Sequence, residues 1–162
     1  MEVNMENNEN SQLALSEHLI LLNLEAKNQE DALSKMAENL ASFGFVKSTY
    51  KRAIIEREKT FPTGLQGSEI GIAIPHTDAK HVNQQSVSVA VLNQPVEFIH
   101  MGSENQMVST KIIFMLAIDK PDSQLEMLQK LISLIQKEEV LQKIIKSKSC
   151  KEVLKLLYEE LL

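Results

Sequence analysis

Cysteine is nearly missing from this chain. A lone Cys150 among 162 residues can close no internal disulfide and can build no cysteine-based zinc site. That usage fits a reducing compartment. Tryptophan is absent, and there are only five glycines and four prolines, which removes collagen-like, low-complexity and linker-rich architectures. Long apolar runs are missing too. The longest, Ile112 to Ile118, is far short of the roughly 20 residues that span a bilayer as a helix. Residues 1–10 are acidic and polar, without the basic and apolar regions of a secretory signal. A cytoplasmic location without membrane insertion is therefore expected. Excess positive charge is lacking as well: a net charge of -5 supplies no field for neutralising nucleic-acid phosphates, so nucleic acid is not an expected partner.

What remains is 43% hydrophobic and 24% charged, the balance of one ordinary globular domain, and at this length folding buries roughly two thirds of the unfolded surface. Residues 1–12 carry too little apolar content to repay ordering and read as a frayed tail; residues 13–162 read as the domain. His18–Leu24 is a short apolar run of strand length. Asn28 is placed to cap a helix whose apolar positions Ala32, Leu33, Met36, Ala37 and Leu40 recur at helical spacing until Gly44. Ser48 is placed to cap a second helix with Tyr50, Ile54 and Ile55 inward, ended by Thr60-Phe-Pro-Thr-Gly64. The middle changes period: Ile70–Ile74, Ser86–Leu92 and Lys111–Ile118 are rich in Val and Ile and read as strands, the last as a central strand buried on both faces. After Pro121 the helical period returns, with Leu125, Leu128, Leu131, Ile132 and Ile135 as a stripe, then helices over 138–146 and 149–161, the latter with a Ser149/Glu152 capping box. The sum is an α/β domain: a mixed sheet of about five strands with helices packed on it.

Of the four histidines, His76 alone stands at the abrupt end of an expected strand, in Ile74-Pro-His-Thr-Asp78. Such a position presents an imidazole at the surface in a fixed direction, and a neutral ring nitrogen is available as a nucleophile near pH 7. The alternative is a turn histidine satisfied by a neighbouring backbone carbonyl. A further alternative groups His76, Asp78 and His81 as metal ligands, although His-x-Asp-x-x-His matches no common zinc spacing. Gly64-Leu-Gln-Gly67 lacks the lysine and following helix of a phosphate loop, so ATP binding has no support, and no cofactor is expected. His18 and His100 read as core-edge residues, and Met101, Met107, Met115 and Met127 as core filler.

Phe61-Pro-Thr-Gly-Leu65, Gly71-Ile-Ala-Ile-Pro-His-Thr-Asp78 and His81-Val82, with Pro95-Val-Glu-Phe98, Met101-Gly102 and Gln124-Leu-Glu-Met-Leu128 further on, resemble the fructose/mannitol-type enzyme IIA family of the bacterial phosphotransferase system. The resemblance covers nearly the whole chain after Leu13, and its Pro-Thr-Gly-Leu and Pro-His-Thr-Asp wording is most similar to the galactitol-specific branch. It implies a phosphotransferase in which phospho-HPr phosphorylates a histidine, matched by His76, and the phosphoryl group passes to a cysteine of a IIB component serving a IIC permease. The family arginine before the Pro-Thr motif is matched by Arg57. Mannitol-type members place a second histidine where this chain has Gln124, which donates a hydrogen bond but carries no charge. Gln124 and Thr77 are thus candidates for supporting roles. A stand-alone regulator with the same phosphorylation is the rival reading.

Overall fold

The computed structural model describes residues 2–4 and 13–162, with side chains from Leu13 onward. Its strands are β1 (Glu2–Asn4), β2 (Ala14–Ser16), β3 (Ile20–Leu24), β4 (Gly64–Gln66), β5 (Gly71–Ala73), β6 (Ser86–Ile99) and β7 (Met107–Ala117). Its helices are α1 (Gln29–Ser42), α2 (Tyr50–Thr60), α3 (Pro121–Ile135), α4 (Glu138–Lys146) and α5 (Cys150–Leu161). The strands form one mixed sheet in the order β1-β2-β6-β7-β5-β4, with β3 also paired to β6. Apart from β1, the expected frayed tail over 1–12 lies outside the described residues.

Alternation along β7 explains the layering. Side chains two apart share a face, so Ile112, Phe114 and Leu116 join one apolar cluster while Ile113, Met115 and Ala117 join the other. The first cluster is closed by α3, α4 and α5 through Leu131, Leu141, Val153 and Leu157, and the second by α1 and α2 through Met36, Leu40, Tyr50 and Ile54. Helices therefore cover both faces, which is why β7 reads as a continuous apolar run. Among the described residues no helix is long and apolar enough to cross a membrane.

Local chemistry sets most boundaries. Asn28 Oδ1 accepts from the Asp31 amide at 2.9 Å, capping α1, and Gly44 takes φ +80 just beyond its end, a conformation glycine adopts without strain. Ser149 Oγ accepts from the Glu152 amide at 3.3 Å, while the Glu152 carboxylate returns to the amide of Lys148, one residue before the reciprocal partner a capping box would use. Three expectations are corrected. Helix α2 begins one residue later than a Ser48 cap implies, with Thr49 as its cap and no side-chain bond. The buried side of α3 is Met127, Leu131, Leu134 and Ile135, while Leu125 and Ile132 are exposed, because the stripe facing the sheet is rotated from the expected one. Met107, at the start of β7, is 55% exposed rather than core filler, whereas Met115 and Met127 are buried.

Candidate active site

Strand β5 ends at Ala73, and the chain leaves the sheet through Ile74-Pro75-His76-Thr77. This exit is pinned on both sides. The Ile74 amide donates to the carbonyl and hydroxyl oxygens of Thr63, each at 3.2 Å, and the Leu116 amide on β7 donates to the Pro75 carbonyl at 2.9 Å. The Leu116 carbonyl in turn accepts the Tyr50 hydroxyl at 2.7 Å, tying the start of α2 to the same point of the sheet. Burial, which disfavours the phenolate, pushes Tyr50 far above its ordinary value and keeps it a donor.

His76 is half-buried, and its Nδ1 lies 2.9 Å from the Ile74 carbonyl oxygen. A carbonyl only accepts, so the hydrogen sits on Nδ1 and Nε2 keeps its lone pair. Burial lowers the imidazole pKa below 6.5, with a further lowering from the Arg57 charge, against an opposing pull from the Ile74 carbonyl. The ring is thus neutral at pH 7, with Nε2 as its nucleophilic atom. The turn-histidine alternative is accurate about Nδ1, but it leaves Nε2 unassigned.

Arg57 lies in the last turn of α2, with its guanidinium carbon 4.3 Å from the centre of the Phe61 ring. Stacking on an aromatic face holds the guanidinium plane while leaving its edge donors available. Its Nε is buried without a hydrogen-bond partner, and among the described residues Arg57 enters no ion pair: Glu56 pairs with Arg52, and Glu58 turns inward to Thr63. An unsatisfied buried donor costs about 1–3 kcal/mol, the cost expected where a donor is kept for a ligand.

Gln124 Nε2 donates to the Thr77 carbonyl at 3.2 Å, bringing the first turns of α3 against the His76 loop. Thr77 is buried, and in this contact its backbone rather than its hydroxyl is used. Arg57, His76, Thr77 and Gln124, chosen from widely separated parts of the sequence, are therefore assembled at one place. Phe61 and Leu125 beside them are 56% and 59% exposed, which gives the surroundings an apolar character. The metal-ligand grouping is not assembled: His81 Nδ1 is 2.8 Å from the Thr49 hydroxyl, and no group of three or more His, Cys, Asp or Glu among the described residues is arranged to hold a metal ion.

Glu58 and Thr63 did not emerge from the sequence as site residues. The Glu58 carboxylate accepts from the Thr63 amide at 2.6 Å and from its hydroxyl at 2.7 Å, and both residues are 2% exposed. Tyr50, Ile54 and Glu58 are spaced by four, so a carboxylate on the apolar face of α2 was the available signal.

Comparison with known proteins follows the same lines. Residues 14–160 match the family described as "Phosphoenolpyruvate-dependent sugar phosphotransferase system, EIIA 2". The chain is 26% identical over 118 residues to the galactitol-specific EIIA component of Escherichia coli K12, covering 73% of this chain and 78% of that protein. It is 34% identical over 104 residues to the transcriptional regulator ManR of Bacillus subtilis, covering 64% of this chain and 14% of that one. Among solved structures, the complex of enzyme IIAMTL and phosphorylated enzyme IIBMTL from Escherichia coli superposes with a TM-score of 0.73 at 25% identity, covering 91% of this chain and 99% of that one.

Proposed function

Since the chain belongs to the EIIA 2 family of the sugar phosphotransferase system and is, with that family, a phosphotransferase, we propose that His76 Nε2 is its phosphoryl carrier, loaded by phospho-HPr and discharged to a cysteine of a IIB component. The observation that carries this reading is the pairing of a neutral imidazole, directed by Ile74, with an Arg57 guanidinium that no carboxylate among the described residues occupies. In the loading step Nε2 attacks phosphorus, the Nε2–P bond forms, and the bond from phosphorus to the donor breaks. Arg57 stabilises the charge on the phosphoryl oxygens in that transition. The attacking nitrogen carries no proton, so the step releases none, and a general base has nothing to remove. Glutamine at 124 is compatible with that chemistry: its amide positions the Thr77 carbonyl, while the Nδ1–H bond to Ile74 steadies positive charge on the phosphorylated ring. In the discharge step the Nε2–P bond breaks as the thiolate–phosphorus bond forms.

Acting from the cytoplasm, the protein serves the uptake of galactitol or a related sugar through a IIC permease in this reading, which the galactitol-specific relative supports. The likeness to ManR favours a second reading, in which the phosphorylated and free forms bind different regulatory partners. Incubation with phospho-HPr followed by mapping of acid-labile phosphate tests the carrier assignment, and phosphate on a residue other than His76 sinks it. Transfer onward to a IIB cysteine separates transport from regulation.

A further inference from the structure

Glu58 sits where α2 would ordinarily place an aliphatic side chain, on the face that buries Tyr50 and Ile54. Burying a carboxylate is costly, and burial pushes Glu58 up to about 7 against the pull of its two Thr63 bonds. The geometry shows what this arrangement holds. Glu58 binds both donors of Thr63, Thr63 receives the Ile74 amide, and the Ile74 carbonyl receives His76 Nδ1–H. At its other end the carboxylate belongs to the helical turn that carries Arg57, its immediate neighbour, on a different face of the helix. One short chain of hydrogen bonds therefore connects the backbone under the guanidinium to the backbone under the imidazole.

We propose that Glu58 is a positioning residue for phosphoryl transfer, which acts through Thr63 to fix the spacing between the Arg57 guanidinium and the His76 imidazole. The role rests on the carrier reading of His76 given above. It follows from the donor count: Thr63 presents an N–H and an O–H together, and a carboxylate can accept both, whereas an amide offers only one oxygen. A hydrophobic residue would fill the same space and leave the Thr63 amide unpaired. Transfer rates are sensitive to such spacing, because displacement of a clamp by about 1 Å costs up to a hundredfold.

The test compares Glu58→Gln, Thr63→Val and Thr63→Ser in the full chain. The readouts are the titration midpoint of the His76 ring by NMR and phosphate uptake from phospho-HPr at saturating and limiting donor. Burial, the main cause of the lowered His76 midpoint, is left in place by Glu58→Gln and Thr63→Val, so both are expected to raise that midpoint only by the smaller part that comes from the Arg57 charge, as Arg57 draws away. They should also slow uptake at saturating donor by about ten- to a hundredfold, with half-saturation held within about twofold. Thr63→Ser, which restores the hydroxyl, should return both readouts to wild type. Lowered stability with an unchanged midpoint and saturating rate would overturn the proposal, leaving Glu58 as a fold anchor only. Thr63→Val keeps the backbone bond to Glu58 and decides the matter if Glu58→Gln does not fold. If wild-type His76 takes up no phosphate, the carrier reading fails, yet the midpoint of the two variants still reports whether Glu58 sets the Arg57–His76 spacing.

Discussion

On the α2 side of His76 the hydrogen bonds form a continuous set: Glu58 to Thr63, Thr63 to Ile74, and Tyr50 to Leu116, which itself holds Pro75. On the α3 side the side-chain hydrogen bond to this loop among the described residues is that of the Gln124 amide to the Thr77 carbonyl, and Leu125 and Ile132 on the same helix are exposed. The difference matches the proposed relay. Buried, satisfied polar networks fix geometry, while a lightly tied and apolar wall suits the successive docking partners which that proposal requires. The chemistry should accordingly depend steeply on the α2 wall and shallowly on the α3 wall.

Removing the proposed carrier gives the largest effect. His76→Ala should abolish phosphate uptake from phospho-HPr, measured by radiolabel or mass shift, while leaving a folded protein, since the side chain is only half-buried. Arg57→Ala comes next: losing a charge clamp on a transferring phosphoryl group should lower the saturating rate by about 10²–10³-fold. Arg57→Lys should recover only part of this, because an ammonium lacks the planar fork that stacks on Phe61. An effect of Arg57→Ala no larger than that of Gln124→Ala would erase the contrast between the walls.

The two perturbed groups give stability opposite dependences on pH. Glu58, raised from 4.5 to about 7, binds more protons folded than unfolded between those values, so its contribution is full below about pH 4.5 and is lost as pH rises toward 7. His76, lowered from 6.5, binds fewer protons folded, so its contribution is full above 6.5 and is lost as pH falls. Urea midpoints between pH 4.5 and 7.5 should show Glu58→Gln removing a falling slope worth at most about 3 kcal/mol, and His76→Gln removing a rising one. Identical pH profiles for wild type and Glu58→Gln would mean that the carboxyl is not perturbed. The smallest change belongs to the α3 wall: Gln124→Ala removes one neutral hydrogen bond, worth about 0.5–1.5 kcal/mol, and should slow uptake less than about tenfold.

The sequence was most legible where one residue type has one physical use. Asn28 as a cap, Gly44 as a stop, and the unbroken apolar run of β7 between two helix layers could all be read directly, and so could His76 at a strand exit. Family wording was needed for Arg57, because a charged residue near a helix end is ordinarily solvated, and nothing local says that Phe61 will stack on it. Other features escaped because they depend on tertiary placement. The face α3 turns to the sheet decided that Leu125 and Ile132 stay outside, although their spacing matches a buried stripe. Glu58 shared the period of Tyr50 and Ile54, but only the fold brings Thr63 within reach of its carboxylate.

The two nitrogens of one ring supply the most direct test. The Ile74 carbonyl takes the hydrogen of Nδ1, so phosphate acquired from phospho-HPr must reside on Nε2 of His76. Phosphorus and nitrogen NMR on ¹⁵N-histidine-labelled protein should show coupling of the phosphoryl group to Nε2 and a retained proton on Nδ1. Phosphate on Nδ1, or on any other side chain, would contradict the account.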